Sequence, residues 1–141
     1  MTHPKNESLP VFEWPVRVYI EDTDMGGVVF YANYLKFFER ARTEWLRGLG
    51  VTQQMLVDEF SLIFVVSRMS VDYVAPARLD DELRLTVEIE RIGRASVHFT
   101  QRAWRDETLL ASAQIQIVSV SLPQMRPVAI PSGIFVKMKN K

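Results

Sequence analysis

The apolar residues of this chain keep a helical spacing over one long stretch and an alternating spacing over four stretches in succession, and that change of period restricts the fold more than any other feature. From about Ala32 to Arg47 they fall at 34, 35, 38, 41, 45 and 46, the pattern of a helix with one buried face, and Gly48 and Gly50 stop it. A short amphipathic segment, roughly Thr52 to Phe60, begins with Thr52 as a candidate N-cap. Beyond it LIFVVSRMSVDYV, DELRLTVEIERI, ASVHFTQRAW and TLLASAQIQIVSVS read as strands rich in Val, Ile and Thr, and VRVYIE (residues 16–21) reads as one earlier strand. The links APARLD, GR and RDE carry turn chemistry, so consecutive strands are expected to pair as antiparallel neighbours. PQMRPVAIPSG, with its three prolines, ends the sheet, and a brief helix is expected in the last residues. Strand, long helix, then four strands predicts an α+β domain in which a curved antiparallel five-stranded sheet wraps one central helix bearing Tyr34, Phe37, Phe38 and Trp45.

Composition narrows the chemistry. The 141 residues, 48% of them hydrophobic, suit a single domain over 1–141, with residues 1–10 a loose N-terminal lead-in. No apolar run approaches the roughly 18 residues of a membrane span, and MTHPKNESLP lacks the features of a secretory signal, so a cytoplasmic protein is expected. Seventeen basic and seventeen acidic residues cancel without forming a basic stripe, which argues against nucleic acid as a partner. The absence of cysteine removes thiol nucleophiles, disulfides and Cys-ligated metal sites. Of the two histidines, His3 lies in the lead-in. His98 lies in a strand whose alternation sets Val97, Phe99 and Gln101 on one face and His98, Thr100 and Arg102 on the other, the position of a histidine facing solvent or a neighbouring layer. Catalysis, if present, falls to carboxylates and backbone amides, with no metal or cofactor expected.

The loop Asp22-Thr23-Asp24-Met25-Gly26-Gly27 joins the first strand to the long helix, where unpaired helix N-terminal amides stabilise negative charge. A carboxylate here can sit beside a carbonyl whose oxygen faces those amides. On spacing alone the same residues read more simply as an Asx-type turn. An EF-hand reading fails, because its fifth position would be Gly26 and its twelfth, normally Glu, would be Asn33. Neither a G-x-S-x-G elbow nor a phosphate-cradling Gly-rich loop with Lys occurs.

RVYIEDTDMGGVVFYANYLKFFERARTEWLRGLG, continuing through SRMSVDYVAPARLDDEL, resembles the 4-hydroxybenzoyl-coenzyme A thioesterase family, in its Tol-Pal-associated acyl-CoA thioesterase branch, the YbgC type. The resemblance runs from about Trp14 to Pro131 and centres on Asp-Thr-Asp-x-x-Gly-x-Val-x-x-x-x-Tyr. It implies a hotdog fold, acyl-CoA thioester hydrolysis, Asp24 as nucleophile or general base, and the Tyr31 backbone amide as the group that polarises the thioester carbonyl. YbgC-type relatives often carry His where this chain has Tyr31, whereas the 4-hydroxybenzoyl branch carries Tyr. An amide donor survives that exchange; a histidine side chain does not.

Asp22 matches the first aspartate of the motif and is a secondary candidate, read as a loop-organising acceptor. Glu39 lies eight residues beyond Tyr31, about 12 Å along the axis at ~1.5 Å per residue, and an ion pair with Arg40 or Arg42 is its simpler role. Family members place basic residues near the turn corresponding to ERIGRAS, which makes Arg94 and Arg91 the candidates for the CoA phosphates, with solvated turn charge as the alternative. The resemblance also implies a homotetramer built as a dimer of dimers, with each site between two subunits, and an acyl carrier protein as a possible partner. An ordinary aspartate is ionised at neutral pH and attacks a carbonyl without activation, whereas base catalysis improves as the pKa nears the working pH; attack through a mixed anhydride is therefore preferred, with base catalysis still open. Two other classes compete: a non-catalytic acyl-CoA or acyl-carrier-protein binding subunit, and a hotdog dehydratase, which would need a histidine near the helix start.

Overall fold

The aromatic helix lies at the centre of the molecule, and the sheet is built around it. In the computed structural model, which describes residues 11–140, the chain runs through β1 (Phe12–Arg17), a short 3-10 turn (Ile20–Asp22), α1 (Asn33–Gly48), α2 (Gln53–Phe60), β2 (Leu62–Tyr73), β3 (Glu82–Ile92), β4 (Ser96–Arg105), β5 (Thr108–Ser121), β6 (Arg126–Pro127) and α3 (Ser132–Lys139). α1 buries Tyr34, Phe37, Phe38, Ala41, Trp45 and Leu46; the stripe its spacing predicts gains Phe37, while Leu35 is only half-buried. The opposing sheet face supplies Leu83, Leu85, Val87, Val97 and Phe99 among others, and Trp45 meets Phe99 edge-on with ring centroids 5.4 Å apart. A curved antiparallel sheet around one long helix is the hotdog fold.

One polar residue crosses this core. Gln101 is fully buried, donates to the carbonyls of Phe38 and Thr86, and accepts from the Arg42 guanidinium at 2.9 Å. Burying an amide is tolerable only when its hydrogen bonds are made, and these bonds tie β4 to the middle of α1. Burial in turn pushes the Arg42 pKa below its ordinary value, with Glu39 acting the other way. α2 starts as its sequence predicts, the Thr52 hydroxyl accepting from the Met55 amide at 3.0 Å.

The sheet order is β1-β3-β4-β5-β2, antiparallel throughout, with the two-residue β6 beside the end of β5. The tight links give the expected β3–β4 and β4–β5 neighbours. The expectation fails for β2 and β3. β2 pairs with β5 along its whole length, with a bulge between Val66 and Arg68, and the segment carrying Pro76 crosses the end of the sheet to reach β3. The expected first strand is also displaced: pairing with β3 covers Phe12–Arg17, whereas residues 20–22 turn into the 3-10 segment. Asp22 causes the break, since its carboxylate accepts from the Tyr19 amide at 2.8 Å. Pro15 is accommodated in β1 because this strand is an edge. The other edge, β2, is 12 residues long and leaves Val66, Met69 and Tyr73 exposed. Among the described residues no helix is long and apolar enough to cross a membrane. The lead-in, residues 1–10 with His3, lies outside the described residues.

Candidate active site

Asp24 lies in a loop that folds back on itself. The Asp24 amide donates to the Val28 carbonyl, Gly27 donates to the Asp24 carbonyl, and Thr23 bridges Val29, so the two sides of the loop run antiparallel. Gly27 has φ +81°, a conformation that costs a side-chain-bearing residue about 1 kcal/mol or more. The Gly26 amide donates to Asp24 Oδ1 at 2.9 Å, an Asx turn. Turn and site are therefore compatible: Oδ1 holds the loop, and Oδ2 has no partner among the described residues. Asp24 is solvent-exposed. Asp22 is 8% exposed and works from inside, its carboxylate on the Tyr19 amide and its carbonyl accepting from the Phe30 amide and the Asn33 side chain.

Six residues beyond Gly27 the helix begins. Asn33, Tyr34 and Leu35 donate to the carbonyls of Phe30, Tyr31 and Ala32, while the Tyr31 and Ala32 amides meet no acceptor among the described residues. These are the open donors of a helix N-terminus, where an oxyanion is stabilised by both hydrogen bonds and the helix dipole. The turn is clamped from the sheet: the Tyr73 hydroxyl donates to the Tyr31 carbonyl at 3.0 Å, and the Tyr73 ring meets the Tyr31 and Tyr34 rings edge-on. Burial, and then Tyr34 and Tyr31, push the Tyr73 pKa above its ordinary value, so it stays a donor across the physiological range. Val29, Tyr31, Tyr34, Tyr73 and Pro76 line an open cleft of about 270 Å³ beside this turn.

The crossing segment backs the loop. Val29 donates to the Ala77 carbonyl, Val28 bridges Arg78, and the Ala77 amide donates to the buried Tyr34 hydroxyl at 3.1 Å. Asp81 anchors the segment, accepting from the Arg78 amide at 2.9 Å and from Arg105 at 2.8 Å, while Arg105 also donates to the Pro76 carbonyl. Burial raises the Asp81 pKa, but the Arg78 amide and the Arg105 guanidinium outweigh it and leave the carboxyl below its ordinary range.

The model of the thioesterase superfamily matches residues 26–112 of this chain. Acyl-CoA thioesterase YbgC of Haemophilus influenzae is 48% identical over 87% of this chain and 90% of its own length, and acyl-CoA thioester hydrolase YbgC of Escherichia coli O6:H1 is 49% identical over 92% of this chain and 97% of its own. The chain belongs to the thioesterase superfamily. The crystal structure of a probable thioesterase from Bartonella henselae superposes with a TM-score of 0.83, at 33% identity, covering 86% of this chain and all of that one.

Within this thioesterase-superfamily fold the remaining candidates scatter. Arg91 and Arg94 lie at the far end of β3, whose 11 residues span roughly 33 Å at ~3.3 Å per residue, away from the Asp24 loop that contacts the segment before β3. Arg94 is exposed in the β3–β4 turn, its carbonyl accepting from the Ile130 amide. Glu39 departs from expectation: it accepts from the Thr43 hydroxyl at 2.6 Å, and among the described residues it forms no ion pair with Arg40 or Arg42, because Arg42 is drawn inward to Gln101. His98 lies on the outer face of the sheet, remote from the helix start, while Val97, Phe99 and Gln101 point inward as their alternation predicts. Sequence reasoning missed Tyr73 and Asn33. Asn33, a polar residue at the first helical position, was readable as a loop anchor; Tyr73 gave no signal, since its reach to Tyr31 depends on the sheet's curvature.

Proposed function

We propose that this protein hydrolyses acyl-CoA thioesters to the free acid and CoA, with Asp24 attacking the thioester carbon and the Tyr31 amide holding the carbonyl oxygen. The observation that carries the reading is the pairing of a carboxylate oxygen left free by its own turn with open amides at the start of α1, in a chain nearly half identical to acyl-CoA thioesterases. In the first step Asp24 Oδ2 bonds to the thioester carbon, the carbonyl electrons move to the oxygen facing the amide, and their return expels CoA as thiolate. The resulting mixed anhydride is opened by water, which releases the acid and restores the carboxylate. Asp22 serves as the loop's internal brace.

The site is proposed to be completed by a second copy. Tyr19, Ile20, Met25, Phe30 and Tyr31 form an exposed apolar rim around the loop, and β2 presents an unpaired edge, both features that association covers. Isologous antiparallel pairing of two β2 edges lays the Leu62 end of one strand beside the Tyr73 end of the other. The far end of the partner's sheet then approaches Asp24, which is how Arg91 and Arg94 would reach the phosphates of the same CoA molecule. Two such dimers make the proposed tetramer, and the same reading keeps the protein in the cytoplasm, with acyl carrier protein as an alternative carrier of the substrate.

Asp24→Asn keeps the turn and removes the charge. The expected result is a folded protein that binds acyl-CoA and has lost at least on the order of a hundredfold in kcat, since a positioned base alone contributes ~10²- to 10⁴-fold. Wild-type-like turnover in folded Asp24→Asn would overturn the assignment of Asp24, whereas failure of the wild-type protein to release thiol from acyl-CoA would make an acyl-binding subunit the better reading. A single turnover in oxygen-18 water with enzyme in excess separates the two roles: label in Asp24 marks nucleophilic attack, and label in the released acid alone marks an activated water.

A further inference from the structure

Away from the Asp24 loop, one row of basic side chains forms no ion pair among the described residues. On the outer face of the sheet Arg68 stands opposite Gln116, Gln116 opposite His98, and His98 opposite Arg91, so that β2, β5, β4 and β3 each contribute one residue to a single line. Directly opposed residues share a face, and the line runs along a groove of about 310 Å³ that Ser70 and Gln114 also border.

The neighbouring charges do not neutralise the row. Arg84 and Arg102 have their own carboxylates in Glu13 and Glu88, but among the described residues neither Arg68 nor Arg91 forms an ion pair. The groups facing His98 are Arg91 and Glu90 from β3, Arg68 from β2, Gln114 and Gln116 from β5, and Thr100 along β4. Glu90, the one acid among them, is turned toward the Thr100 hydroxyl at 2.6 Å and forms no ion pair with Arg68 or Arg91 among the described residues. Arg91 lies 2.9 Å from His98 Nε2, a contact that requires the ring nitrogen to accept and so a neutral imidazole. Burial, then Arg91 and Arg68, lower the His98 pKa accordingly. Two guanidinium groups beside an imidazole, neither of them ion-paired among the described residues, make a local field that an anion relieves.

We propose that Arg68, His98 and Arg91 form a binding site for a phosphate dianion on the outer face of the sheet. Guanidinium groups match phosphate oxygens with paired donors, and a bound dianion draws a proton onto His98, turning Nε2 from acceptor to third donor. The phosphate has two possible sources: the nucleotide end of a CoA substrate, or a separate phosphate-bearing ligand. The site itself stands without the thioesterase reading; the CoA source alone rests on it.

The test follows the His98 ring by NMR in the intact protein, assigned with His98→Gln, during titration with inorganic phosphate and with adenosine 3′,5′-bisphosphate. Expected are a saturable shift and a rise in the His98 pKa of about one unit or more, with Kd weakened at least tenfold in Arg68→Gln and in Arg91→Gln. Unsaturable or absent shifts in the wild type, or identical titrations in both folded variants, would overturn the site. A roughly tenfold rise in KM for acyl-CoA in Arg68→Gln, with acyl-pantetheine unaffected, identifies CoA as the source. Unchanged KM with the phosphate response intact in the wild type identifies a separate ligand, and both results uphold the site. Loss of the thioesterase reading would show as no thiol release from acyl-CoA by the wild-type protein and would leave the His98 titration unmoved.

Discussion

The two ends of α1 are finished in opposite ways. At its C-terminal end the chain closes over its own helix: Val51 and Leu56 are fully buried, and Ile134 and Met138 of α3 pack into the same core. At its N-terminal end Met25 is fully exposed, Tyr19, Ile20, Phe30 and Tyr31 stand exposed, and two amides have no acceptor among the described residues. The loop there is nevertheless well braced, by Asp22 beneath, Tyr73 from the sheet and Asp81 behind. Exposed apolar surface on a braced scaffold differs from exposed surface on a loose one: it costs stability to display, and its geometry suits cover supplied from outside, by substrate or by a second copy.

The sharpest way to break this contrast is to damage the closed end alone. Met138→Ala removes a fully buried side chain and should destabilise by about 2–5 kcal/mol in denaturant unfolding at fixed protomer concentration, while kcat of the remaining folded protein stays within about twofold of wild type. A large loss of kcat with little loss of stability would mean that α3 serves the site. At the open end Tyr73→Phe deletes one donated hydrogen bond and keeps the ring contacts. It should cost about 1 kcal/mol and lower kcat several-fold with KM nearly constant, because the hydroxyl positions the Tyr31 turn and need not touch substrate. An unchanged kcat would remove Tyr73 from the positioning of the amide.

The smallest effect is the acid dependence of the brace. The folded-state pKa of Asp81 is depressed, so its contribution to stability is complete above the ordinary carboxylate pKa and disappears as pH falls through that value toward the folded one. Asp81→Asn should therefore lower stability at neutral pH, and the gap from wild type should narrow below about pH 4. A gap that stays constant down to acid pH would show that Asp81 acts through its shape and not its charge.

What could be read from the sequence was whatever a local pattern encodes. The buried stripe of α1, the Thr52 cap, the inward turn of Gln101 and the outward turn of His98 all follow from period and side-chain chemistry within a few residues. What escaped depends on which strand lies beside which. β2 joins β5 because the Pro76 segment carries the chain across the sheet, and no pattern within β2 names its partner. The Arg68–His98–Arg91 row exists only through that pairing, so no single segment shows it. Glu39 escaped for a related reason: its arginine neighbour was claimed by Gln101, far away in sequence.

The pairing of β2 with β5 also orders events in time. During synthesis β2 is complete while its partner is still unmade, and the nearest pairing, Tyr73 with Ala111, waits for roughly 40 further residues, which takes seconds at about 5–20 residues per second. The β3–β4–β5 meander, closed by short turns, assembles on local contacts, and β2 then docks onto its finished edge across a long loop. Until that moment a twelve-residue apolar strand has both edges bare, so the nascent chain is most open to misassociation before its last long strand is made.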